Sequence, residues 1–197
     1  MQEIINLDPS DYYTQRNNRI SPEAACMPTA RAMFYCGNGI AFDNPSDMQD
    51  DDYFMSVLQR DESLKLAKQK YPALIAAGYP PYMIHGMYHS YLDLQVVGRR
   101  TSDFVTDLTF DDYVDRIRAG QVIMTSGSFP GIEGHAFCVM GLEAKPCNGI
   151  KLVIADPWGD FHTDYKSQRG YAVLMTRAEF KEHVKPGQKH KWGHIII

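Results

Sequence analysis

Four residues of this chain carry types and surroundings suited to covalent chemistry: Cys26, His135, Asp156 and Gln15. A cysteine hydrolase needs a thiolate, a base beside it, a group that holds the base, and donors for the oxyanion. Cys26 falls in AACMPTARAMFY, residues 24–35. The alanines and Met33 favour a helix there, whereas Pro28 suits only its first turn. Cys26 is therefore expected at or just before a helix N-terminus. The partial positive charge and free N–H groups of that position stabilise a thiolate, and the Cys26 N–H is itself an oxyanion donor.

His135 follows the glycine-rich stretch GSFPGIEG and opens an apolar strand, from which an imidazole can reach a facing helix end. Asp156 closes the run KLVIAD just before PWG. A carboxylate there can meet the far ring nitrogen of a histidine on the antiparallel neighbour and stabilise the imidazolium. Gln15 lies in the segment before the helix and offers a side-chain amide as a second oxyanion donor. Each residue also has a plain reading. Cys26 can be a small buried hydrophobe, His135 a backbone-satisfied histidine, Asp156 a turn former before Pro157, and Gln15 an exposed amide.

The elements that must position these groups read as follows. Ile4–Gln15 reads as an extended arm or opening strand with turn residues in LDPSD, followed by a polar loop. Helices are expected over 24–35, around Tyr53–Arg60, through SLKLAKQKYPALIAAG, and in TFDDYVDRIRAG, where Thr109 caps and Gly120 stops. MIHGMYHSYLDLQVV starts helical and turns β-like at Leu94–Val97. The second half changes texture: QVIMTSG, HAFCVMGLEA, KLVIADPWG and YAVLMTRAEF are short β-branched or aromatic runs between turns. Helices first and a mainly antiparallel sheet after them make an α+β fold. One domain is expected over residues 1–197.

The order glutamine, cysteine at a helix start, histidine on a strand, acid on the next strand is that of papain-like enzymes. The segments YYTQRNN, AACMPTARAM, GHAFCVMGLE and IADPWGD resemble the bacteriocin-leader-peptidase-like branch of papain-like cysteine peptidases, with spacing alike over roughly 12–171. The resemblance implies an N-terminal helical part packed on a mainly antiparallel sheet. It also implies Cys26 as nucleophile, His135 as base, Asp156 as orienting acid and Gln15 as oxyanion donor. Met27 and Pro28 depart from the small polar residues that often follow the cysteine in relatives.

The bulk properties bound the partners. A net charge of −4 with scattered basic residues gives no electrostatic reason to bind nucleic acid or an anionic membrane. The largest basic group, Lys185, Lys189, His190 and Lys191, reads as a solvated end. No run approaches the roughly 20 apolar residues of a membrane span, and no secretory signal is legible. The protein is thus expected in the cytoplasm at synthesis, monomeric, and released by lysis or carried in a virion if it acts outside. No cofactor or metal is expected. His85 and His89 share an HxxxH spacing, as do His190 and His194, but the first pair lacks a third ligand or a Glu after its first His, and the acidic run Asp43–Asp52 misses the EF-hand pattern. Cys36, Cys138 and Cys147 read as structural thiols, and Tyr12, Tyr13, Phe129 and Trp158 as cleft or core aromatics. By family analogy and chain architecture the expected reaction is hydrolysis of peptide bonds in bacterial peptidoglycan, as in phage lysins. A protease acting on a polypeptide (leader processing or a toxin) and a catalytically dead binding module are the alternatives.

Overall fold

The longest strand, β4 (Ile132–Lys145), is the axis of the computed structural model, which describes residues 2–146, 149–184 and 191–197. Its neighbours are β1 (Gln2–Ile5), β3 (Ile123–Phe129) and β5 (Gly149–Ala155), and the sheet is completed by β2 (Ser102–Leu108), β6 (Val173–Thr176) and β7 (Lys191–Ile196). The seven-stranded sheet runs β2-β7-β3-β4-β5-β6, with β1 on the second half of β4, and every pairing is antiparallel. Ala136, Cys138 and Met140 face one core cluster while Phe137 and Val139 face the other, as strand alternation requires. A register shift between Val139 and Gly141 then reverses the alternation, so Leu142 joins the side of Val139. Gly141 is needed at this point, because a Cβ would lie 2.2 Å from the Ile4 carbonyl oxygen of β1.

Helix α1 (Cys26–Gly37) packs against β4, and every residue from Met27 to Tyr35 is buried. A helix buried on all sides must pair any charge it carries. Arg31 does so through Asp93, which also accepts from Tyr35 Oη and from the Thr101 N–H at 2.7 Å each. Over α1 lie α2 (Asp50–Leu58) and the helical stretch made of α5 (His85–Met87), a π-turn over Tyr88–Leu92 and α6 (Asp93–Val96). Helices α3 (Asp61–Lys70) and α4 (Pro72–Ala76) replace the single helix read through this stretch. Pro72 lacks an N–H and so starts a new helix.

The α+β class stands, with local differences. Leu94–Val97 was expected to be β-like. Instead Asp93–Val96 is helical, with Val97 next to it, because Asp93 is tied to α1. The arm is a strand only to Ile5, and it turns at Pro9–Asp11, within the LDPSD expected to do so. In YAVLMTRAEF the strand ends at Thr176, which caps α8 (Arg177–His183) in a capping box with Glu179. The edge strand β2 and its partner β7 carry no expectation from the sequence. Helix α7 (Phe110–Arg118) forms as read, with Thr109 and Asp112 completing its capping box. Cys147, Lys185, Lys189 and His190 lie outside the described residues. Among the described residues no helix is long and apolar enough to cross a membrane.

Candidate active site

Cys26 is the first residue of α1, and its N-cap, Ala25, has no side chain with which to cap the helix. The N–H groups of the first turn therefore stay available. Those of Met27 and of Ala136 on β4 are aimed at the Cys26 sulfur. Burial alone would raise the thiol pKa, but a hydrogen bond to His135 and the positive charge of that ring outweigh it, and the thiol is held below its ordinary value.

His135 sits near the start of β4, opposite Gly127 of β3, and is 3% exposed. Its Nε2 meets Asp156 Oδ1 at 2.6 Å, leaving Nδ1 for the sulfur. Burial disfavours the imidazolium, yet the Asp156 carboxylate and the contact with Cys26 carry the histidine pKa to about 10. Both shifts act in the direction that favours a thiolate–imidazolium pair.

Asp156 directly follows β5 and is fully buried. Besides His135, its Oδ1 accepts the Trp158 N–H at 2.9 Å and its Oδ2 the Tyr165 hydroxyl at 3.4 Å. The backbone here is pinned as well. The Asp156 N–H donates to the Gly170 carbonyl at 2.9 Å and its carbonyl accepts from Tyr12 Oη at 2.8 Å. A Cβ on residue 170 would fall 1.8 Å from the Asp156 oxygen, so only glycine closes this loop.

Gln15 lies in a short 3₁₀ turn, Gln15–Asn17, and is 2% exposed rather than a surface amide. The Gln15 N–H donates to Pro157 O at 3.0 Å, and Arg16 donates to Trp158 O at 2.7 Å while stacking on the Trp158 ring at 4.1 Å. The glutamine turn is thus fastened to the loop that carries Asp156. Its side-chain nitrogen donates one hydrogen to Pro22 O at 2.7 Å. An amide nitrogen carries two, which leaves one for a ligand.

The four residues singled out in the sequence are brought together, and Gln15, Cys26, His135 and Trp158 line one cavity of about 360 Å³. Of the aromatics, Phe129 packs edge-on to His135 at 6.0 Å and Tyr12 supports Asp156. Tyr13 instead donates to Asp50 away from the site at 2.7 Å. Sequence reading missed Tyr165, which sits at φ 58 where few non-glycine residues do, and Glu23 and Glu133 on the cavity wall. It also missed a second, larger cavity of about 920 Å³ that Cys26 borders as well.

The remaining candidates are placed elsewhere. His85 Nδ1 lies 3.0 Å from His194 Nε2, a pairing across α5 and β7. Among the described residues, no group of three or more histidine, cysteine or acidic side chains is arranged to hold a metal ion. Burial raises the pKa of Cys36 to about 11 and that of Cys138 further. In the acidic run, Asn44 and Asp50 bond each other while Asp51 and Asp52 turn inward to hold Asn18 and the Arg19 N–H.

No family model matches the chain, and the search of curated proteins found no relative.

Proposed function

We propose that the protein is a papain-like cysteine peptidase or amidase working through Cys26, His135, Asp156 and Gln15. The observation that carries the reading is the line Asp156–His135–Cys26, with a carboxylate 2.6 Å from one ring nitrogen and a thiol of lowered pKa at the other. The Cys26 thiolate attacks the amide carbonyl carbon, and the oxyanion is held by the Cys26 N–H and the free hydrogen of Gln15 Nε2. The C–N bond breaks as the His135 imidazolium protonates the departing amine. Neutral His135 then takes a proton from water as its oxygen attacks the thioester. Breaking the C–S bond releases the acid and restores the ion pair. Asp156 keeps the ring turned with Nδ1 toward sulfur and stabilises its charge.

Peptide bonds of bacterial peptidoglycan, named by the resemblance, are one substrate class. A polypeptide is the second, favoured by the large apolar cavity beside Cys26. The test combines alkylation at neutral pH with hydrolysis of both substrates by wild type and Cys26→Ala. Preferential labelling of Cys26 and cleavage lost in the variant are expected. Equal labelling of all thiols with no Cys26-dependent cleavage would remove the reading.

A further inference from the structure

The two cavities that meet at Cys26 differ in kind. Leu74, Tyr79, Met83, Phe104 and Trp192 line the larger, and the first three are 41%, 48% and 43% exposed. Large apolar side chains left in water and gathered round one cavity mark a binding surface. His85 in this wall adds no positive charge at neutral pH, since burial drives its pKa down to about 4. The smaller cavity is lined by Gln15, His135 and Trp158 together with the exposed carboxylates Glu23 and Glu133. Among the described residues neither wall contains lysine or arginine, and Met83 and Glu133 reach the rim of both. In the same small cavity wall Gln15 is nine-tenths or more buried, and its Oε1 has no partner.

His135 sets the direction of the substrate. It protonates the leaving amine and borders only the smaller cavity, so the leaving half lies there and the acyl half in the larger one. Resting on the peptidase reading, we infer that the preferred substrate is a peptide with a bulky apolar side chain in its acyl half and a lysine or arginine in its leaving half. Glu23 and Glu133 attract the cation. Acidic peptides are the poor substrates.

Binding and cleavage test this separately. Cys26→Ala is titrated by fluorescence anisotropy with peptides differing in one residue, arginine or glutamate in the leaving half, phenylalanine or glycine in the acyl half. The arginine peptide should bind about tenfold tighter than its glutamate twin at low salt, with the gap shrinking as salt is added. The phenylalanine peptide should exceed its glycine twin by about tenfold. Joint substitution of Glu23→Lys and Glu133→Lys, at two exposed positions, should reverse the charge preference and keep the apolar one. Equal affinity for arginine and glutamate, or a preference untouched by the double variant, overturns the charge assignment. Equal affinity for phenylalanine and glycine overturns the apolar one. Selective binding without Cys26-dependent cleavage by the wild type would instead remove the peptidase reading and leave the recognition standing.

Discussion

Two buried ion pairs hang on or near α1, and they are built for opposite ends. Arg31–Asp93 is sealed, with both side chains at 0% exposure, and Asp93 gathers donors from Arg31, Tyr35 and Thr101. Burial would raise the Asp93 pKa, but the Arg31 charge outweighs it and holds the carboxyl ionised. His135–Asp156 is almost as deeply buried, yet the second nitrogen of its cation faces a titratable thiol at the junction of two cavities. One pair ends in further hydrogen bonds and the other in a nucleophile. Burial and pairing do not by themselves mark a functional site; what lies beyond the last ring atom does.

The sharpest way to separate the pairs is to cut each one. Cys26→Ala should abolish amide hydrolysis, on the order of a million-fold in kcat, with urea midpoints nearly unchanged. Arg31→Met should do the reverse. An uncompensated Asp93 in the core costs about 3–5 kcal/mol, read as a lower urea midpoint, while the folded fraction still alkylates at Cys26. Gln15→Ala removes one oxyanion donor and should lower kcat by about a hundredfold, with alkylation of Cys26 unaffected.

Asp156→Asn tests the electrostatic half of the comparison. The wild type should lose activity as pH rises through about 10, where His135 gives up its proton. The asparagine variant lacks the charge that lifts this pKa, so its alkaline limb should fall at lower pH. An unmoved limb would mean that another group sets it. The smallest effect concerns stability in acid. Burial lowers the His85 pKa from 6.5 to about 4, and His194 is lowered as well. The unfolded chain therefore takes up protons that the native chain refuses, and stability falls as pH drops from about 6.5 to 4. His85→Phe should flatten that slope, by a few degrees in Tm at pH 5.

Much of the site was legible because its chemistry is local. Cys26 is marked by a helix start, His135 by glycines before an apolar strand, and Asp156 by the strand end before Pro157. The helix at Thr109 was legible for the same reason, since its cap and stop lie within a dozen residues. What escaped depends on partners far along the chain. The mostly polar run Ser102–Leu108 becomes a strand only because β7 pairs with it, and Leu94–Val97 leaves the β region because Asp93 is held by Arg31. The pairing of His85 with His194 spans 109 positions. Tyr165 reaches Asp156 through a left-handed backbone that no residue type announces. Glu23 and Glu133, 110 positions apart, come together only on the cavity wall.

The bond from the Gln15 N–H to Pro157 and the grip of Arg16 on Trp158 have one more consequence. The donor that holds the oxyanion and the acid that aims the base are fastened together, and neither can drift without the other. Genetically the two loops should behave as a single locus. Damage at Arg16 would be felt by His135 as well as by Gln15, and a second lesion at Trp158 would add little to the first. Natural variants of this chain should change the two loops together or leave both alone.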